Sequence, residues 1–140
     1  MQQYLALDLG ASSGRAILGT LNGDRLELQE IHQFDNGGVD VAGSLHWNLL
    51  GLFMEMKKGL RLALDQGANL AGMAVDTWGV DFALLGRDDG LLANPRHYRD
   101  PRTDGMMPAA FERVPRDEIF AATGIQFMQI NSLYQLLAMK

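Results

Sequence analysis

The chain has 140 residues, 47% of them hydrophobic, which is enough for one globular domain with a real core and too little to expect a second. With 17 acidic and 12 basic residues the net charge is -5, which leaves no basic stripe for nucleic acid and no cationic face for anionic lipid. Cysteine is absent, which excludes disulfides and thiolate metal sites and fits a reducing compartment. His32, His46 and His97 are scattered without metal-ligand spacing, and His46 and His97 are read as surface or core.

No apolar run approaches the roughly 20 residues that span a bilayer. The start, Met1-Gln2-Gln3-Tyr4, has neither the basic nor the long apolar region of a secretory leader, so a soluble, cytoplasmic protein is expected.

Tyr4 to Leu9 alternates, with Leu5, Leu7 and Leu9 on one side and Tyr4, Ala6 and Asp8 on the other, the period of a strand ending beside a carboxylate. Gly10-Ala11-Ser12-Ser13-Gly14 predicts a tight turn, Arg15 to Leu21 a second strand, and Asn22-Gly23 a type I′ hairpin into a third strand through Leu26 and Leu28. Asp35 to Gly43 is read as a loop.

A helix is expected from Asn48, as N-cap, to about Gln66, stopped by Gly67; Gly51 and Gly59 weaken it unless they permit close packing on the sheet. Met73 to Val75 predicts a buried strand, Asp76-Thr77-Trp78-Gly79-Val80-Asp81 a functional junction, and Phe82 to Leu85 another strand turning at Asp89-Gly90. An irregular polar stretch, Pro95 to Pro101, precedes helices expected over Thr103–Val114 and Arg116–Thr123, the second stopped by Gly124. Ser132-Leu133-Tyr134-Gln135 has capping-box spacing and opens a last helix with no stop signal before Lys140, which reads as a truncation.

Two stretches point to chemistry. Small residues after Asp8 let backbone N–H groups and hydroxyls approach phosphate oxygens while the carboxylate orders Mg²⁺ through water; alone, the same pattern also fits a plain glycine-rich turn. It is not a Walker A loop, because no Gly-Lys-Ser/Thr follows. At Asp76 to Phe82, two acids and a tryptophan interrupt an apolar run. Carboxylates bond hydroxyls, an aromatic face stacks on sugar C–H surface, and Gly79 admits the main chain, so the stretch reads as a polyol pocket or, more blandly, as a turn with a packed Trp78. Tyr98-Arg99-Asp100-Pro101-Arg102-Thr103 either lines that pocket or forms surface ion pairs.

Asp8 to Arg15, Asp76 to Phe82, Tyr98 to Thr103, Gly124 to Phe127 and Asn131 to Leu136 resemble, in that order and over nearly the whole chain, the rhamnulokinase branch of the FGGY carbohydrate kinase family. The resemblance implies an α/β, ribonuclease-H-like (actin-like ATPase) fold, residues 1–140 forming its N-terminal domain as a truncated piece. It implies ATP and Mg²⁺ as cofactors, with Ala11, Ser12, Ser13, Gly14 and Arg15 at the ATP phosphates and Asp8 at the metal. Gly79 resembles a ketose-contacting position, and Thr77, Trp78, Tyr98 and Arg99 match the neighbourhood of the sugar site, with Asn131 beside it.

The activity implied is transfer of the ATP γ-phosphoryl group to the 1-hydroxyl of L-rhamnulose. The family's catalytic base, an aspartate, comes from beyond residue 140, so the isolated chain is expected to be inactive and, with apolar surface exposed, to self-associate. The alternative is a non-catalytic sugar- or nucleotide-binding module of the same superfamily; no nucleic acid or membrane partner is expected.

Overall fold

The computed structural model describes every residue from Met1 to Lys140. The chain packs as two compact units, Met1–Gly37 with Asn48–Gly79, and Gly38–Trp47 with Val80–Lys140.

In the first unit, strands β1 (Gln2–Leu9), β2 (Ser13–Asn22) and β3 (Arg25–Asp35) form an antiparallel meander. The alternation read in β1 holds: Leu5, Leu7 and Leu9 are buried while Tyr4 and Ala6 are exposed. The first hairpin turn falls one residue later than expected. Asn22 pairs with Arg25, so Gly23 and Asp24 are the central residues; Gly23 alone has positive φ (64°), the sign pattern of a II′ rather than an I′ turn.

Helix α1 (Leu49–Asp65) begins where Asn48 accepts a hydrogen bond from the Gly51 N–H through its side chain, as a capping residue should. It packs on β1 and β2 through Ala63, Met56 and Leu60, closing a core with Leu5, Leu7 and Ala16. Gly59 is buried there, and a Cβ on it would lie 2.6 Å from the Ala16 Cβ, so the close-packing role foreseen for this glycine is the one found. From α1 the chain returns as β6 (Leu70–Thr77), parallel to β1 and at the edge of a sheet ordered β3-β2-β1-β6. The strand read as buried is largely exposed: Met73 and Val75 face solvent, because an edge strand with one neighbour has half its surface uncovered.

The second unit contains a hairpin, β4 (Gly38–Val41) with β5 (Ser44–Trp47), whose first strand and turn fall in the segment read as loop. Its turn residues Ala42 and Gly43 have φ of 54° and 80°, a I′ geometry without the Asn-Gly signature, and Asp40 Oδ1 accepts from the Gly43 N–H. The strand expected over Phe82–Leu85 is reduced to one bridge, Leu85 to Leu91, across a tight turn in which Asp89 takes φ 59°. The helix expected over Thr103–Val114 divides into a 3-10 turn, Pro101–Thr103, and α2 (Met106–Phe111), because Gly105 (φ 75°) breaks the backbone run between them. Helix α3 (Arg116–Thr123) ends at Gly124 as read, and α4 spans Ser132–Leu137. Buried Tyr134 and Ala110 anchor this helical part, with Phe111 edge-on to Phe127 at 5.3 Å.

Candidate functional site

Antiparallel pairing of β1 with β2 puts the Gly10–Ser13 turn at the end of β1, directly after Asp8. Register places Asp8 between two neighbours: Arg15 across the antiparallel pair and Asp76 across the parallel one. Arg15 Nε lies 3.9 Å from Asp8 Oδ2, both side chains 45% exposed, a pairing that orients the carboxylate more than it stabilises the fold. Asp8 and Asp76 therefore end adjacent strands as two oxygen-donor groups, and Asp76 also accepts from the Thr77 N–H at 3.1 Å. No cluster of three or more potential metal-ligating side chains exists in the chain. Two carboxylates supplemented by water and phosphate oxygens suit a hard, octahedral, water-retaining ion such as Mg²⁺.

The expected phosphate residues Ala11 to Arg15 are thus contiguous with Asp8 in the structure. Gly14 is packed tightly, since a Cβ there would lie 2.2 Å from Phe34 Cζ, so its small size is required by the ring beneath it. Thr77 is the last residue of β6, and Trp78 and Gly79 follow it; Thr77 and Gly79 are exposed, Trp78 is half-buried, and a Cβ on Gly79 would meet nothing within 4 Å.

Tyr98 and Arg99 belong to the second unit. Tyr98 is half-buried against His97, ring centroids 4.6 Å apart, and the exposed Arg99 guanidinium lies 5.0 Å from the Tyr98 ring. Two clefts in this unit, one of ≈ 420 Å³ reached by His46, Arg96 and Arg102 and one of ≈ 350 Å³ reached by Val80, Asn131 and Tyr134, are lined by neither residue.

What sequence reasoning missed is the polar interior of the second unit. Asp100, read as pocket lining or surface ion pair, is buried: Oδ2 accepts from the Leu45 N–H at 2.6 Å and Oδ1 from the Arg102 N–H at 3.0 Å. Burial pushes the Asp100 pKa upward, but those two N–H groups together with Arg96 and Arg102 outweigh it and hold the carboxyl below its ordinary 3.8. Arg102 donates to Gln135 Oε1 at 2.7 Å, and Gln135, 1% exposed, donates to Asp81 Oδ1, Val80 O and Ile130 O. Asp81 Oδ2 also accepts from Trp47 Nε1 at 2.6 Å, and Ser132 Oγ bonds Val80 O.

These partners grip Val80, a β-branched residue at φ 70°, where side chains of that kind are strained. The Ser132–Gln135 pair that looks like a capping box is spent here; α4 is entered at Asn131 with no side-chain cap. The signal available in the sequence was Asp81, an acid inside an apolar run that needs a partner. His97, 2% exposed and stacked on Trp47 at 4.0 Å, is core; burial lowers its pKa from 6.5, and Nδ1 accepts the Arg99 N–H.

No family model matches the chain. Over 135 residues it is 46% identical to a rhamnulokinase of Bacteroides thetaiotaomicron, covering 96% of this chain and 28% of that protein. It is 43% identical over 141 residues to a rhamnulokinase of Oceanobacillus iheyensis, covering 100% and 30%. Among solved structures it resembles a ligand-bound xylulose kinase from Lactobacillus acidophilus, with TM-score 0.80 and 18% identity over 99% of this chain and 28% of that one. It also resembles a Plasmodium falciparum glycerol kinase with ADP, with TM-score 0.74 and 14% identity over 98% and 28%. Those likenesses show the fold, the actin-like ATPase fold read from the sequence, with its mixed sheet and flanking helices. The chain spans less than a third of the length of the curated relatives it matches. At 40–46% identity along nearly its whole length, the chain corresponds to an N-terminal segment of several rhamnulokinases.

Proposed function

We propose that these residues serve in an ATP-dependent kinase that converts L-rhamnulose to L-rhamnulose 1-phosphate. The observation that carries the reading is the 46% identity to a rhamnulokinase across 135 residues, which includes both the Asp8 turn and the Asp76–Asp81 junction. In the reaction, the ketose 1-hydroxyl oxygen bonds the γ-phosphorus as the bond to the β,γ-bridging oxygen breaks, and the hydroxyl proton goes to a base.

In this reading the Ala11–Arg15 turn holds the polyphosphate and Asp8 with Asp76 fits Mg²⁺ through water; Thr77, Trp78 and Gly79 of the first unit and Tyr98 and Arg99 of the second are each taken, by resemblance, as sugar contacts. Mg²⁺ would neutralise charge on the transferring phosphoryl oxygens. The proton acceptor lies in the remaining length that the relatives have. The isolated chain binds without turning over, since positioning of acceptor, base and γ-phosphate together supplies most of the rate.

The test is a chimera in which these 140 residues replace the matching segment of the Bacteroides thetaiotaomicron relative. Rhamnulose-dependent ADP release is expected from it, falling at least about a hundredfold in Asp8→Asn. A folded chimera that phosphorylates xylulose or glycerol in preference to rhamnulose refutes the substrate assignment, and turnover by the 140-residue chain alone refutes its inactivity.

A further inference from the structure

The Gly10–Ser13 turn is shaped by a residue outside it. Asn36, 6% exposed at the end of β3, donates from Nδ2 to Gly10 O at 2.7 Å and from its backbone N–H to Ser12 O at 3.0 Å. Gly10 N–H donates to Ser13 O at 2.9 Å, so three of the turn's four carbonyls are turned inward and satisfied. The N–H groups of Ala11 and Ser12 donate to no group of the chain. A buried side chain that occupies acceptors while leaving neighbouring donors outward makes a concavity receptive to anions, because fewer carbonyl oxygens are left to face the ligand. Phe34, two residues before Asn36, packs under Gly14 and fixes the strand from which Asn36 reaches.

We propose that Asn36 is the positioning residue of the phosphate turn: it withdraws the Gly10 and Ser12 carbonyls so that the Ala11 and Ser12 N–H groups face the polyphosphate. The proposal rests on the phosphate reading given above. Asn36 touches no phosphate itself; it acts through the backbone. Its carboxylate analogue would do the reverse at neutral pH, placing negative charge against Gly10 O, whereas a protonated carboxyl could donate to Gly10 O as the amide does.

Inorganic tripolyphosphate with Mg²⁺ is titrated into the 140-residue chain while its backbone amides are followed by NMR. In the native sequence, shifts centred on Ala11 and Ser12 are expected. Asn36→Ala weakens binding at least about tenfold while the amides of β1 and α1 keep their positions. Asn36→Asp binds more weakly still at pH 7.5 and, taken as a ratio to the native chain at each pH, recovers as the pH falls through the carboxyl range. A variant weakened only by loosened packing would show no such recovery. Native-like affinity in Asn36→Ala, or an Asn36→Asp ratio that does not change with pH, overturns the proposal and leaves the phosphate reading standing. No response at Ala11 and Ser12 in the native chain overturns the phosphate reading, and this proposal with it.

Discussion

Replacing Gln135 by Leu tests whether the interior of the second unit is held by polar bonding or by apolar packing. The substitution nearly conserves volume, so little cavity forms and the cost comes from lost bonds. Three groups lose this partner outright: Ile130 O, Asp81 Oδ1 and the Arg102 Nη2 donor; Val80 O keeps Ser132. Each part-buried group that loses this bond costs about 1–2 kcal/mol, and groups in one network do not add fully, so a loss of about 2–4 kcal/mol is expected. Released from one of its two holds, Val80 at φ 70° also relaxes toward ordinary backbone, which loosens the chain just past Gly79. The assay is urea unfolding followed by tryptophan fluorescence, which includes Trp47 in this network, with amide exchange of Val80 and Asp81 as the local readout. Gln126→Leu, at an exposed position, serves as control and should stay within about 0.5 kcal/mol. A loss below about 1 kcal/mol for Gln135→Leu would show that the network is dispensable and the reasoning wrong.

Gly59→Ala should destabilise by about 1–2 kcal/mol although alanine is the better helix former, because its Cβ would meet the Ala16 Cβ at 2.6 Å; a rise in the urea midpoint would contradict this. The folded pKa of His97 is depressed, so the unfolded chain binds its proton more readily; the stability this residue contributes is complete above about pH 6.5 and is lost as pH falls below that value. His97→Gln should flatten the decline of the urea midpoint between pH 7.5 and 5.5, and an unchanged slope counts against the assignment. With Met73 and Val75 exposed on edge strand β6 and Leu50, Phe53 and Met54 exposed on α1, the isolated chain should gain mass with concentration in light scattering, less so in a Met73→Lys, Val75→Lys variant; a dilution-insensitive monomer refutes this.

Local physics made the first unit readable. The period of Leu5, Leu7 and Leu9, the capping oxygen of Asn48 and the stop at Gly67 are each decided within a few residues, and the structure keeps all three. The hairpin at Ala42-Gly43 escaped because its turn adopts positive φ without the residues that favour it, a conformation imposed by the pairing of β4 with β5. Likewise the strand expected at Phe82–Leu85 had the composition of a strand but no partner beyond one bridge.

For the site, the sequence by itself determined which residues could meet phosphate, metal and sugar, because small residues, carboxylates and an aromatic beside glycine state their chemistry in their side chains. It also placed Asp8 beside the turn, since one strand and one turn are contiguous in the chain. Only the tertiary structure decided that Asp76 stands next to Asp8, that Asn36 grips the turn from 26 residues away, and that Asp81 and Asp100 are tied through Gln135 and Arg102 into one hydrogen-bonded network. Register and burial are properties of pairs distant in sequence, and a polar side chain shows whether it serves a ligand or the fold only when its partners are in place.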